Sequence, residues 1–144
     1  AGALASYDGV VVAGIDGPAW GGGVELALAC DLRVGTPAAT FAESGVTHGL
    51  FGAWGGTARL PRIVGEGVAM ELSLSGRVLD ADEAHRVGLL SRVVDDPRAI
   101  AASVLDSDTR ALRTIKRRLR DTAPVAEQTE REAEAFADLV EHRQ

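Results

Sequence analysis

At 144 residues, with an ordinary composition rich in Ala, Gly, Val and Leu, the chain suits one domain with a sizeable core. A net charge of −6 argues against nucleic acid or an anionic membrane as partner, and no apolar run approaches transmembrane length or forms a leader. The single cysteine, Cys30, excludes an internal disulfide and a cysteine metal cluster, and makes a reducing cytosol the expected compartment.

In chain order, Val10 to Ile15 is a β-branched run ended by Asp16-Gly17-Pro18. It reads as a buried strand followed by a turn. Three glycines, Gly21 to Gly23, then lead into Val24-Glu25-Leu26-Ala27-Leu28-Ala29, a short buried helix whose small residues allow close packing on a sheet. Leu32 to Gly35 and Thr40 to Glu43 read as strands, which makes a βαβ-type unit. Residues 44 to 57 read as a Gly-rich loop. Arg62 to Leu74 reads as a helix stopped near Gly76. Asp80 to Arg86 reads as another, with Asp80 and Glu83 as a capping box and Gly88 as its stop. Val93-Val94 is a short extended piece. Arg110 to Arg120 is an amphipathic basic helix with Leu112, Ile115 and Leu119 on one face. Pro124 breaks it, and Glu127 to Glu141 is an acidic helix with Ala133, Phe136, Leu139 and Val140 available to pack. The architecture divides into a core over 1–94 and a helical region over 95–144.

The glycine turn is the most informative feature. The first N–H groups of a helix lack acceptors within it, and the helix dipole adds partial positive charge there. Glycines let a ligand approach those groups closely. The result suits an oxygen that gains negative charge. Glu25 lies about one turn beyond Gly22, so both can face one pocket.

The stretch Gly21-Gly22-Gly23-Val24-Glu25 through Cys30-Asp31 resembles the signature of the crotonase, or enoyl-CoA hydratase/isomerase, family. The resemblance continues through Phe41, Trp54-Gly55-Gly56-Thr57-Ala58-Arg59-Leu60-Pro61-Arg62-Ile63-Val64-Gly65 and Ser75 to Ala84, as far as Gly88-Leu89-Leu90. It covers roughly residues 9 to 94, and several ordered blocks make it specific. It implies an α/β fold, the crotonase-like ββα spiral core with C-terminal helices. Family members carry a substantial N-terminal half before the glycine turn, so that part is expected to be incomplete here. The chain is then either a fragment or lacks intervening segments, and the second is the favoured reading.

The same resemblance implies the chemistry. Family members stabilise the enolate of an acyl-CoA thioester with two backbone N–H groups. Gly22 matches one, and Gly21 borders the substrate. Ala1-Gly2-Ala3 resembles the motif that supplies the other, which makes Ala3 its candidate; the alternative is a chance match of small residues. Each such donor contributes on the order of 3 kcal/mol. Glu25 matches the first of two glutamates that hydratases use to hold and activate water. The position of the second falls on Gly45, which cannot transfer a proton. Glu43, two residues earlier, shares the strand face of position 45 and is the candidate replacement; the alternative is a structural or rim carboxylate.

Phe51 and Trp54 are expected to wall a reshaped acyl pocket. His48 matches no catalytic position and is assigned to the surface. Lys116, within Leu112-Arg113-Thr114-Ile115-Lys116, matches a lysine that contacts the nucleotide end of coenzyme A; the alternative is a solvated helix face. The implied ligand is an acyl-CoA thioester, with no separate cofactor and no metal, and the implied assembly is a homotrimer or hexamer. The expected function is an enoyl-CoA hydratase or isomerase, weakened as a hydratase by Gly45. The alternatives are a non-catalytic acyl-CoA binding protein, or a site in which space at Gly45 admits a small anion or a substrate carboxylate.

Overall fold

The computed structural model describes residues 1–142. The chain opens with a one-turn helix, α1 (Gly2–Ser6), and strand β1 (Val12–Ile15). A second strand, β2 (Pro18–Trp20), follows at once, where the sequence predicted only a turn. Helix α2 (Gly22–Ala29) leads to β3 (Leu32–Gly35) and β4 (Thr40–Ala42). β1 and β3 pair in parallel, with Val12 opposite Leu32, and β6 (Arg92–Val93) joins the free edge of β3. A second small sheet sets β2 parallel to β4 and β5 (Leu79–Asp80) antiparallel to β4. Asp16-Gly17 carries the chain between the sheets, with Gly17 at φ 133°. This split into two three-stranded sheets is why β2 exists: Pro18 has no N–H to give, and an edge strand tolerates that.

α2 is apolar on nearly every side and is buried, as such a helix must be. Its Val24 and Leu28 enter the core with Phe41, Leu60, Leu72, Leu79, Leu89 and Leu90. The long helix predicted over Arg62–Leu74 is instead two helices, α3 (Gly56–Val64) and α4 (Glu66–Ser75). Gly65, at φ 82°, separates them. α3 starts six residues earlier than predicted, at Gly56 behind Gly55 with φ 100°, and continues through Pro61 inside the helix.

Helix α5 (Ala81–Arg86) carries the predicted cap, in which the Glu83 N–H donates to Asp80 Oδ1 at 2.8 Å. Three C-terminal helices follow: α6 (Pro97–Leu105), α7 (Thr109–Leu119) and α8 (Val125–Glu141). α6 lies where no element was predicted, and it packs on β1 and β3, with Pro97 over Gly14. α7 is tied down at the end of α2. Asp31 accepts from the Val11 N–H (2.7 Å) and pairs with Lys116 Nζ (2.9 Å) and Arg120 (2.6 Å). Among the described residues no helix is long and apolar enough to cross a membrane.

Candidate active site

Two carboxylates meet where α2, the end of β4 and the start of α3 converge. Glu25 projects from the buried helix α2 and is 2 % exposed. Its Oε1 accepts the Trp54 N–H and the Gly56 N–H, each at 2.8 Å. Gly56 is the first residue of α3, so the Glu25 carboxylate sits at a helix N-terminus, where N–H donors and the helix dipole favour the anion. Close approach of main chain makes this possible. A Cβ on Gly52 would overlap the Glu25 carboxylate, and one on Gly56 would lie 3.1 Å from Glu25 Oε1.

Glu43 follows β4 and immediately precedes a 3₁₀ turn over Ser44–His48, to which its side chain makes no hydrogen bond. The same point beside Gly56 is 3.4 Å from Glu43 Oε1, so the two carboxylates are no further apart than the sum of those distances. Burial, and then the charge of Glu25, push the Glu43 carboxyl up to about 7. Its Oε1 is buried and has no hydrogen-bond partner. The two acids thus stand in different surroundings: Glu25 accepts two main-chain N–H groups, and Glu43 keeps a buried oxygen without a partner.

Gly22 opens α2, and the N–H groups of its first turn have no acceptor within the helix. Gly21 takes φ 51°, and its N–H donates to the Ala42 carbonyl at 2.8 Å. It therefore shapes the turn rather than offering its own N–H to a ligand. Trp54 joins the two halves of the site. Its N–H holds Glu25, and its ring lies 3.0 Å from where a Gly22 Cβ would stand. Phe51 is 80 % exposed and lines a small pocket of about 40 Å³ that also touches Glu43, Gly45, Gly52 and Gly56.

The structure therefore brings Glu25, Glu43, Gly22, Gly21, Trp54 and Phe51 to one region. Ala3 lies in α1, which packs against α2. Two expectations require correction.

Lys116 is engaged elsewhere. Nζ donates to the carbonyls of Tyr7 (2.6 Å) and Gly9 (2.7 Å) and pairs with Asp31. An ammonium has three donors, and all three are used inside the chain. Gly45, finally, is not in a strand and has no side-chain space. It lies in the 3₁₀ turn, and a Cβ there would stand 2.8 Å from the Leu50 carbonyl oxygen. The idea that an anion fills the room left by a missing glutamate loses its support. His48 ends the same turn and is exposed, as predicted for a surface residue.

The sequence reading missed Gly52, Gly55 and Gly56 as parts of the site. The signal was present: a Gly-Gly pair immediately before an apolar-periodic run is a helix start, and a helix start attracts a carboxylate. Among the described residues no group of three or more His, Cys, Asp or Glu side chains gathers as a metal site would require.

A mixed α/β core holding paired glutamates beside a glycine-opened helix defines a class, and comparison with known proteins names it. The enoyl-CoA hydratase/isomerase family pattern matches residues 2–143. The chain belongs to the enoyl-CoA hydratase/isomerase family. A short-chain-enoyl-CoA hydratase of Clostridioides difficile is 48 % identical over 86 residues, which is 60 % of this chain and 55 % of that protein. A crotonyl-CoA hydratase of Syntrophomonas wolfei is 40 % identical over 112 residues, 74 % of this chain and 43 % of that one. Among solved structures, an enoyl-CoA hydratase from Bacillus anthracis superposes with a TM-score of 0.91 at 30 % identity, covering 97 % of this chain and 57 % of that one. Pseudomonas aeruginosa DspI superposes at 0.88 with 40 % identity, covering 99 % and 57 %. The chain spans about half the length of the curated relatives it matches.

Proposed function

We propose that this protein binds an acyl-CoA thioester and moves protons at the carbons next to its carbonyl, as an enoyl-CoA hydratase or isomerase. The observation that carries this reading is the Glu25–Glu43 pair: one carboxylate accepting two main-chain N–H groups, the other half-buried, with a buried Oε1 that has no partner, and shifted to about 7. The thioester oxygen accepts the Gly22 N–H, which steadies the charge that develops on it. In hydration, Glu25 takes a proton from water as the water oxygen bonds to Cβ, and Glu43 delivers its proton to Cα. Transfer of the proton from Glu25 to Glu43 restores the pair. In isomerisation, one carboxylate removes a proton at one carbon and returns it at another.

On this reading Glu43 supplies the acid that the resemblance assigns to position 45, and the weakness expected from Gly45 is relieved. Coenzyme A enters as part of the substrate, with no further cofactor. The exposed apolar residues of α8, among them Phe136 and Val140, support assembly as a homotrimer or hexamer, and a reducing cytosol remains the proposed compartment. Hydration of crotonyl-CoA, followed by loss of its absorbance, tests the reading in the wild type and in Glu25→Gln. Turnover that Glu25→Gln abolishes is the expected result. Crotonyl-CoA bound in a calorimeter but never turned over would select the non-catalytic acyl-CoA binder instead.

A further inference from the structure

The C-terminal end of α2, opposite to Gly22, opens on a cleft that the chemistry proposed above does not use. It holds about 500 Å³, within the roughly 300–1,000 Å³ of small-molecule pockets. Four of its lining residues are arginines, Arg33, Arg59, Arg62 and Arg120, in a chain whose net charge is −6. Arg33 comes from β3, Arg59 and Arg62 from one side of α3, and Arg120 from the end of α7. Asp31 is the one acid in the lining, and both its oxygens are taken: Oδ1 by Arg120, Oδ2 by Lys116 and the Val11 N–H. The other three arginines are not so matched. Among the described residues Arg33 and Arg59 bond only to carbonyls, and Arg62 makes neither a hydrogen bond nor an ion pair.

Arg33 is the informative member. It is only 9 % exposed, and a guanidinium buried without a counter-ion is costly. Nε donates to the Leu89 carbonyl at 2.8 Å and Nη1 to the Cys30 carbonyl at 3.0 Å. Nη2 has no partner among the described residues, yet Glu43 Oε1 is the one buried side-chain atom there that lacks one. Nη2 therefore keeps access to open space, and the space that Arg33 lines is this cleft. Burial holds the guanidinium below its ordinary basicity, which an anion in the cleft would offset. The helix ends oppose an anion. The last turns of α2, α3 and α7 line the cleft, and each brings about half a negative charge. Three guanidinium groups without carboxylates outweigh that sum.

We infer that this cleft binds a small organic phosphomonoester at a site separate from the thioester site. Arg33 and Arg62, with Arg59 beside them, hold the phosphate dianion, and Leu28, Ile63 and Leu119 of the same lining receive the apolar part. The guanidinium fork matches phosphate oxygens two at a time. A dianion suits the surplus charge better than a single carboxylate does, and the apolar wall favours an organic body over a bare inorganic ion.

The test titrates the chain with butyl phosphate by calorimetry, with butyrate and inorganic phosphate as comparators. One butyl phosphate per chain is expected, bound more tightly than either comparator. Arg62 is exposed, so Arg62→Gln should fold, and it should weaken butyl phosphate by at least about tenfold. Arg98→Gln removes the same charge from the exposed side of α6 and should leave binding unchanged. Absence of saturable binding, an equal loss in the two variants, or either comparator binding as tightly as butyl phosphate would overturn the inference. Coenzyme A carries a phosphomonoester of its own. Binding of butyl phosphate that free coenzyme A leaves unchanged supports a separate site, whereas displacement by coenzyme A would assign the cleft to the substrate's nucleotide end and overturn it.

Discussion

Replacing Glu43 by glutamine tests the division of labour between the two carboxylates. The side chain keeps its shape but loses the proton it must give. A positioned general acid contributes roughly 10²- to 10⁴-fold, so hydration of crotonyl-CoA should fall by at least about a hundredfold. The wild type should also show the titration itself. Because burial and Glu25 raise Glu43 to about 7, the acid form predominates below that pH. Turnover should therefore fall on the alkaline side with a midpoint near 7, and Glu43→Gln should lack that limb.

Stability carries the same signature. The native state keeps the Glu43 proton up to about 7, whereas the unfolded chain releases it near the ordinary 4.5. Between those values the native state binds more protons, so stability decreases as pH rises from about 4.5 to about 7 and is level above. The full shift corresponds to at most about 3.4 kcal/mol, and solvent screening of this half-buried group makes the expected slope smaller. Urea unfolding at pH 5 and pH 8 should reveal this slope in the wild type, and Glu43→Gln should flatten it. A flat pH–rate profile from pH 5.5 to 8.5, with Glu43→Gln within tenfold of wild type, would refute the reasoning.

Four further substitutions probe the geometry. Gly22→Val places its Cβ against the Trp54 ring and should abolish turnover of crotonyl-CoA while circular dichroism still reports a folded chain. Gly52→Ala sets a methyl group into the space of the Glu25 carboxylate, and a loss of about a hundredfold or more in kcat is expected from a misplaced catalytic group. Gly45→Glu should not restore a catalytic glutamate; with the Leu50 carbonyl 2.8 Å from its Cβ, thermal denaturation should show a lower melting temperature and the assay no gain. Lys116→Met strips Asp31 of one cation and leaves two carbonyls unpaired. It should cost at least about 2 kcal/mol in urea unfolding, with acyl-CoA affinity measured by calorimetry unchanged.

Local chemistry was legible in the chain itself. The β-branched run before Gly17, the glycine opening of α2, the Asp80–Glu83 cap and the amphipathic pattern of α7 all depend on neighbours in sequence, and each forms as its residues dictate. Family membership was equally legible, because ordered blocks such as Gly21–Glu25 and Gly55–Arg59 survive as strings. Tertiary structure alone decided what those residues meet. Periodicity could not reveal that Gly65 breaks one apparent helix in two, since the apolar spacing runs on across it. Lys116 reads as a free basic residue until folding sets Asp31, Tyr7 and Gly9 around its ammonium group. Glu43 and Glu25 stand eighteen positions apart, and only the crossing of α2 with the end of β4 makes one raise the proton affinity of the other. Burial and charge proximity are properties of the folded arrangement, so the pairing that carries the proposed chemistry exists only once the chain has folded.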